Sequence, residues 1–233
     1  MGRAITDYLA CGKARALVVR SPQFDDDEMS VEHLFRTPAQ MPRLEQEALR
    51  MARGRVLDVG AGAGCHTLAL QQRLPDVTAL DISSLSVQAM RRRGVRRAVE
   101  GDFLTAALRP PYDTLLLLMN GTGIAGSLNR LPALLTRCRE LLAEGGQVLT
   151  DSTDLSYLFD SEQERLEAGR GGRYYGEVRF QMAYGDTTGQ PFDWLYVDFG
   201  SLSRAAASAG LVPELVARGD HYDYLARLIA GKR

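Results

Sequence analysis

The sequence predicts an α/β fold built on a doubly wound, mostly parallel sheet, and three observations support this. Short apolar runs alternate with helix-forming segments between about residues 55 and 150, and repeated strand–helix units give a parallel sheet with helices on both faces. The apolar run Val56–Val59 breaks into alternating glycines and then into a helical pattern, a place where such sheets bind ligands. A chain of 233 residues suits one domain with a sizeable core.

Composition narrows the classes of function. A net charge of −1 gives no bulk reason to expect nucleic acid or an anionic membrane as partner. No apolar run approaches membrane-spanning length, and the N-terminal residues lack the apolar core of a signal peptide. Three cysteines far apart in the sequence argue against a disulfide framework or a metal cluster. We therefore expect a cytoplasmic protein without a metal, active as a monomer or homodimer.

The glycine turn is the most informative stretch. Gly60, Gly62 and Gly64 alternate with two alanines, Ala61 and Ala63. The third glycine therefore comes one residue sooner than in the dinucleotide pattern G-x-G-x-x-G. Asp58 stands two residues before the first glycine, where its carboxylate would repel a diphosphate and attract a cation. The following helix is expected to point its free N–H groups at the ligand. The spacing favours a cationic ligand.

A second acid lies about 20 residues beyond the turn, the distance expected for an acid that binds ribose hydroxyls. This acid, Asp81, ends the second strand of the predicted sheet and is followed by Ile82. A carboxylate accepts hydrogen bonds from two vicinal hydroxyls well. The alternative is that Asp81 or Ser83 caps the next helix. Its position at a strand end favours the ligand role.

These elements, in order, resemble the class I S-adenosylmethionine (SAM)-dependent methyltransferases over roughly residues 50–150. The pattern D-x-G-x-G-x-G, then Asp81, the stretch Gly101-Asp102-Phe103 and the Tyr112-Asp113 entry to the fourth strand carry the resemblance. Small stand-alone bacterial members of the family are the most similar type. The resemblance implies a Rossmann-like sheet of seven strands with an antiparallel last strand, and SAM as cofactor with S-adenosylhomocysteine (SAH) as product.

The resemblance also assigns roles along the strand ends. Asp102 would accept from the adenine amino group with Phe103 near the ring, although a simple turn acid is the alternative. The reactive end of SAM would meet the acceptor at Asn120 and Gly121, which equally form an ordinary turn sequence. The predicted cofactor-binding residues are Asp58, Gly60, Ala61, Gly62, Gly64, Asp81, Ile82, Asp102, Phe103, Asn120 and Gly121.

The fifth strand ends in two carboxylates and two hydroxyls, more polar groups than a helix cap needs. The stretch is Asp151-Ser152-Thr153-Asp154, followed by Tyr157. Asp151 is the predicted catalytic base, and Tyr157 is predicted to orient the acceptor. The alternative is that Ser152 or Asp154 caps a helix.

Other conspicuous residues are interpreted as structural. His66 is expected to pack rather than catalyse, and methyl transfer needs no nucleophile at Cys65. The arginine-rich residues 91–97 fall at a helix C-terminus, where the helix dipole favours cations. The acidic residues 25–28 fit no metal-ligand loop and are expected to be solvated.

The chain is predicted to be one methyltransferase domain in four parts. Residues 1–43 form an N-terminal helical cap segment, 44–172 the SAM-binding core, 173–199 a β-hairpin insertion, and 200–233 a C-terminal helix with the last two strands. The additions are expected to cover the cleft, unless their aromatic residues only pack these segments. The candidate walls of the acceptor pocket are Phe35, Tyr174, Tyr175 and Trp194.

The predicted function is transfer of the SAM methyl group, by in-line displacement, to a small-molecule acceptor. An RNA or protein acceptor remains an alternative. So do an NAD(P)-dependent oxidoreductase, which the glycine spacing and Asp58 oppose, and a SAM-binding module without turnover.

Overall fold

A computed structural model describes residues 1–168 and 173–231 of the chain. The predicted end of the core at residue 172 and the last two residues lie outside the described residues. The α-helices are α1 Gly2–Cys11, α2 Arg43–Met51, α3 Cys65–Leu70, α4 Ser84–Arg92, α5 Leu131–Leu141, α6 Glu162–Ala168 and α7 Phe199–Ser208. The strands are β1 Leu17–Arg20, β2 Asp27–Met29, β3 Val56–Val59, β4 Val77–Asp81, β5 Ala98–Glu100, β6 Tyr112–Leu117, β7 Leu142–Thr153, β8 Glu177–Tyr184, β9 Thr187–Thr188, β10 Phe192–Leu195, β11 Leu211–Arg218 and β12 Asp223–Ala230.

The main sheet has seven strands in the order β11-β12-β7-β6-β3-β4-β5. The strands from β7 to β5 run parallel, whereas β12 runs antiparallel to both β7 and β11. The predicted fold class, a Rossmann-like and mostly parallel sheet of seven strands, is confirmed. The carboxyl ends of the five parallel strands therefore meet at one edge.

Alternation along each strand divides the core into two layers. Leu57, Leu115 and Val148 face the layer that contains α5 and α7. Their neighbours Leu116 and Leu149 face the opposite layer, where α2 and α3 pack. The helix α4 covers β4 through a smaller cluster. Helices on both faces bury the parallel strands, as the apolar runs predicted.

A second sheet stands over this framework, in the order β10-β8-β1-β2 with β9 beside β8. The pair β1–β8 joins the N-terminal segment to the predicted hairpin, with Val18 opposite Ala183. The segment 1–43 is therefore not only helical: α1 ends where Gly12 takes φ +66°, and the next apolar run forms a strand. The β-branched Val18 and Val19 suit an extended conformation, and this explains the difference.

One helix ends before the glycines that follow it. Glycine commonly ends a helix, but α5 already ends at Leu141, and Gly145 and Gly146 both belong to β7. Leu142 is buried and already pairs with Tyr112 of β6, so sheet pairing begins before the glycines. Within the described residues, none of the helices has both the length and the apolar character to cross a membrane.

Candidate active site

The strand edge of the main sheet divides into two halves. The glycine half comprises the turn at residues 60–64, Asp81 with Ile82, and Asp102, at the ends of β3, β4 and β5. The tyrosine half comprises Asn120, residues 151–157 and Tyr222, at the ends of β6 and β7 and the start of β12. The pairing of β12 with β7 places Asp223 opposite Thr153, so Tyr222 belongs to the same edge.

The glycine turn presents acceptors rather than donors. The N–H groups of Gly60 and Ala61 both donate to the Leu80 carbonyl, at 2.9 and 3.0 Å. The N–H of Gly62 donates to Asp81 Oδ2 at 2.7 Å. Among the hydrogen bonds of residues 1–168 and 173–231, none has the Gly60 or Gly62 carbonyl as acceptor. The N–H groups of these turn residues are therefore committed within the chain, whereas the free N–H groups that we expected belong to the start of α3, at Cys65. A turn of this kind suits a cation, because a phosphate needs the N–H groups.

The turn also leaves room for a ligand. Gly62 is buried with φ +57°, yet a Cβ added there would have no atom within 4 Å. A Cβ on Gly60 would meet only the Ile124 side chain, at 3.8 Å. Glycine is needed for the left-handed backbone, and its missing side chain lets another molecule approach closely.

Asp81 anchors the turn and keeps capacity for a ligand. Its Oδ1 accepts from the Ser83 N–H at 2.8 Å, and its Oδ2 accepts from Gly62. Ser83, not Asp81, caps α4 through its hydroxyl oxygen. Burial raises the pKa of Asp81 above its ordinary value. A carboxylate has about four lone-pair sites, so two hydroxyl donors remain compatible with both backbone bonds.

An exposed apolar side chain stands beside Asp81. Ile82 is 71% exposed, which is unusual for a residue next to a buried strand. Asp102 is also exposed, and its Oδ1 accepts from the Leu104 N–H at 2.8 Å. Phe103 is only 4% exposed and packs in the main core. Ile82 rather than Phe103 therefore offers an apolar surface to a flat ring.

Asp58 lies beneath the turn in a buried cluster of ionisable groups. The Thr67 hydroxyl donates to Asp58 Oδ2 at 2.6 Å, and burial raises the pKa of Asp58. On the same side, His66 Nε2 lies 2.7 Å from Glu45 Oε2, and Arg36 forms a buried ion pair with that oxygen. Burial acts to raise the pKa of Glu45, but hydrogen bonds and charges from His66 and Arg36 together lower it.

His66 therefore packs against α2, as the sequence predicted, and sequence reasoning missed its partners. The signal that could have found Glu45 is an acid on the apolar face of α2, next to Leu44 and one turn before Leu49. Cys65 is buried, and burial raises the pKa of its thiol to about 11. A thiol of that pKa is a poor nucleophile at neutral pH.

In the tyrosine half, Asn120 forms hydrogen bonds that link segments distant in the sequence. Met119 and Asn120 both take left-handed conformations, with φ of 60° and 58°. The Ser152 hydroxyl donates to Asn120 Oδ1 at 2.6 Å, and Asn120 Nδ2 donates to the Leu195 carbonyl at 3.1 Å. The side chain of Asn120 therefore ties the end of β6 to both β7 and β10.

The backbone of Asn120 also holds the side chain of Asp151. The Asn120 N–H donates to Asp151 Oδ1 at 3.2 Å, which leaves Oδ2 uncommitted among the described hydrogen bonds. The side chain is partly exposed at the strand end. Its low-dielectric surroundings raise the pKa of Asp151 to about 7. This is the range in which a carboxyl group can act as a base.

The neighbouring polar groups have separate structural tasks. The Ser152 hydroxyl also accepts from the Val197 N–H at 3.0 Å, so it caps no helix. Asp154 does cap the short 3-10 helix Leu155–Leu158, by accepting from the Ser156 N–H at 2.9 Å. Its Oδ1 also receives the Tyr175 hydroxyl at 2.7 Å.

Tyr157 stacks on Tyr222, which is not among the predicted site residues. The rings of Tyr157 and Tyr222 are 4.5 Å apart between centroids and 10° from parallel. They are 47% and 63% exposed. Tyr222 takes φ 60°, and the Asp154 N–H donates to its carbonyl at 3.0 Å. A bulky residue in this conformation has no signal in the sequence.

The four candidate wall residues separate into two groups. Trp194 packs against Gly123 so closely that a Cβ there would overlap the indole. The Tyr174 hydroxyl donates to Asp198 at 2.6 Å, and Tyr175 bonds to Asp154. These three lie over the tyrosine half. Phe35 lies elsewhere, against Tyr8 and beneath the Arg93 guanidinium.

The arginine-rich residues 91–97 are partly engaged in contacts within the chain. Arg91 donates to the Ala98 carbonyl, Arg93 to the Ala63 carbonyl, and Arg97 pairs with Asp76. Over the described parts of the chain, no group of three or more His, Cys, Asp or Glu side chains is arranged to hold a metal ion.

Comparison with known proteins places this geometry in a family. The model of the family described as "Methyltransferase domain" matches residues 56–146. A SAM-dependent methyltransferase of Bacteroides fragilis, solved in complex with SAH, is 47% identical with a TM-score of 0.89, over 99% of this chain and 94% of that one. SAM-bound CalS10 of Micromonospora echinaspora, an amino pentose methyltransferase, is 19% identical with a TM-score of 0.62, over 89% and 99% of the two chains.

A curated relative is the cypemycin N-terminal methyltransferase of a Streptomyces species. It is 31% identical over 102 residues, and the match spans 42% of each protein. The B. fragilis structure covers nearly the whole of both chains, and its identity is far above the range in which only the fold is shared. The chain belongs to the class I SAM-dependent methyltransferases, the family whose cofactor is SAM.

Proposed function

We propose that the protein transfers the methyl group of SAM to a small-molecule acceptor. The observation that carries this proposal is the juxtaposition, on one strand edge, of an acceptor-lined glycine turn and a covered half that holds Asp151. The turn suits a cation, and Asp151 suits a base. The N–H groups of the turn are committed within the chain, which disfavours the diphosphate of a dinucleotide.

The residues of the glycine half fit SAM. The Gly60 and Gly62 carbonyls and the buried Asp58 would favour the cationic methionine end, and the space beside Gly62 would admit it. Asp81 would accept from the ribose hydroxyls, with Ile82 and Asp102 against the adenine. Ala61, Gly64 and Phe103 would shape the turn and its support. Asn120 and Gly121 would border the reactive end through their backbone.

Bound SAM would supply a methyl group on a sulfonium, which is already a good leaving group. The chain itself then has to align the acceptor, exclude water and remove a proton. Asp151 is the proposed base, with its orientation fixed by the Asn120 N–H. Tyr157 is proposed to orient the acceptor through its exposed ring.

A small acceptor is favoured by the cover over the edge. The sheet β10-β8-β1-β2 is tied to the tyrosine half by Asn120 and by Trp194. The Tyr184 hydroxyl donates to Asp7 of α1 at 3.0 Å, which joins the helix to the same cover. We propose that residues 1–43 and 173–199 act as one cover on a single-domain enzyme of the cytoplasm.

The experiment that tests the proposal is incubation of methyl-labelled SAM with the protein and a cell lysate, followed by size fractionation. We expect label in the small-molecule fraction, and its loss with Asp81→Ala. Label confined to RNA or protein would contradict the small-molecule acceptor. SAH binding without any transfer of label would indicate a binding module instead.

A further inference from the structure

The tyrosine half holds two carboxyl groups for which the described residues provide no ion pair within 4 Å. Asp151 and Asp154 lie three residues apart at the end of β7. In residues 1–168 and 173–231, the ion pairs within 4 Å involve other acids only. Hydrogen bonds from Asn120, Ser156 and Tyr175 orient these carboxyl groups but do not neutralise them. A ligand with a positive charge would complete this half.

Aromatic surface lies beside Asp154, at the same strand edge as Asp151. The stacked rings of Tyr157 and Tyr222 expose about half or more of their surface, and the Asp154 N–H fixes the Tyr222 backbone. The faces of aromatic rings attract organic cations, and carboxylates beside them strengthen the preference. The left-handed backbone of Tyr222 is strained for a bulky residue, and strain of this kind is concentrated at binding sites.

We propose, on the basis of the proposed function, that the methyl acceptor is a protonated amine. Its ammonium group would be received by the carboxylates of Asp151 and Asp154 and by the exposed tyrosine pair Tyr157–Tyr222. The glycine half accounts for the charge of the cofactor, so a second cation is left for the tyrosine half. A neutral alcohol would gain a hydrogen bond but no charge attraction from these carboxylates, and an ionised acid would be repelled by them.

The chemistry balances without a further reactant. An ammonium R–NH3⁺ gives one proton to the Asp151 carboxylate and becomes R–NH2. The nitrogen lone pair forms the N–CH3 bond while the C–S bond breaks, and its electron pair stays on sulfur, which becomes a neutral thioether. The product R–NH2⁺–CH3 carries the positive charge. The raised pKa of Asp151 makes it a stronger base than an ordinary carboxylate.

The first test identifies the bond that forms. ¹³C-methyl SAM is incubated with the protein and a lysate, and the small-molecule fraction is examined by carbon–proton NMR. The proposal predicts a signal in the N-methyl range. A signal in the O-methyl or C-methyl range would overturn the amine acceptor while leaving methyl transfer intact. Absence of any new methyl signal would contradict the proposed function itself, and with it this inference.

The second test measures binding without turnover. Tetramethylammonium chloride is titrated into the SAH-loaded protein, with tert-butanol as a neutral probe of similar size and sodium chloride as the salt control. We expect tetramethylammonium to bind more tightly than tert-butanol, by about 3- to 10-fold or more. Equal binding of the two probes would overturn the proposal.

Variants localise that binding. Asp154→Asn and Tyr222→Gly should each weaken tetramethylammonium binding by a similar factor, whereas Tyr222→Phe, which keeps the ring, should not. Glycine tolerates φ 60°, so Tyr222→Gly removes the ring without adding backbone strain. Asp186→Asn, in the exposed turn between β8 and β9, is the matched control for lost charge. Unchanged binding in both Asp154→Asn and Tyr222→Gly would contradict the assigned site.

Discussion

The glycine half and the tyrosine half of the strand edge are built in different ways. The glycine half is held by backbone bonds between neighbours in the sheet, such as Gly60 and Ala61 to Leu80 and Gly62 to Asp81. The tyrosine half is assembled from distant segments, because Asn120 bonds to Ser152 and to Leu195. The locally built glycine half suits a cofactor that stays the same. The tyrosine half draws on distant segments, so a change in one segment can change which acceptor it binds.

The largest expected effect separates the chemistry of the two halves. Asp151→Asn should lower kcat by about 10²- to 10⁴-fold, the usual contribution of a general base. The amide retains an oxygen for the Asn120 N–H, so the local geometry is preserved. Steady-state kinetics with the identified acceptor gives the measurement. Full activity in this variant would remove Asp151 from the mechanism.

A change in the glycine half should act on cofactor binding instead. Gly62→Val fills the space beside the turn and should weaken SAH binding by about 1–3 kcal/mol, or about 5- to 150-fold. Gly12→Val is the matched control, because Gly12 has φ +66° and an added Cβ there also meets no atom within 4 Å. Both variants carry backbone strain, and calorimetry with SAH distinguishes them. Equal affinities would contradict the placement of the ligand.

The hydrogen bonds of Ser152, which join distant segments, should contribute to the free energy of unfolding. Ser152→Ala removes the donor to Asn120 and the acceptor of the Val197 N–H in a buried site. We expect a loss of about 1–3 kcal/mol in the free energy of unfolding. Ser208→Ala, which removes one hydroxyl bond to Ala205 at the end of α7, should cost less. Denaturant unfolding of both variants makes the comparison, and equal losses would contradict the linking role of Ser152.

The last of these predictions concerns pH. Because the pKa of Asp151 is raised to about 7, the ligand-free folded chain binds more protons at this group than the unfolded chain between about pH 4 and 7. This group's stabilisation is therefore present at low pH and lost as pH rises through about 7. Asp151→Asn should remove that part of the pH dependence. Thermal unfolding of both proteins across this range checks the sign, and parallel profiles would contradict it.

The same contrast between the two halves explains which parts of the fold and the site could be predicted from the sequence. Asp58, the glycines and Asp81 lie in short local patterns, and the main sheet follows from alternating strands and helices. The second sheet could not be predicted, because β1 pairs with β8 across more than 160 residues and has only four residues of its own. Tyr222 was missed because its role depends on the pairing of β12 with β7 and on a backbone conformation.

The buried ionic partners of His66 could not be predicted from the sequence, for a related reason. Glu45 meets Arg36 and His66 only when the segment before α2, α2 itself and α3 come together. Phe103 followed the family pattern in sequence, yet its side chain turned into the core, and Ile82 is the exposed neighbour of Asp81. Side-chain direction within a turn is set by packing that a linear pattern does not record.

The central claim is that one half of the edge binds the cofactor and the other performs the chemistry. Calorimetric titration of SAH into Asp81→Asn and Asp151→Asn, side by side with the unaltered protein, tests it most directly. We predict that Asp81→Asn loses affinity by about 10-fold or more, through weakened charged hydrogen bonds, and that Asp151→Asn binds SAH within about 3-fold of the unaltered protein. An equal loss in both variants, or a loss in Asp151→Asn alone, would contradict the division of the edge.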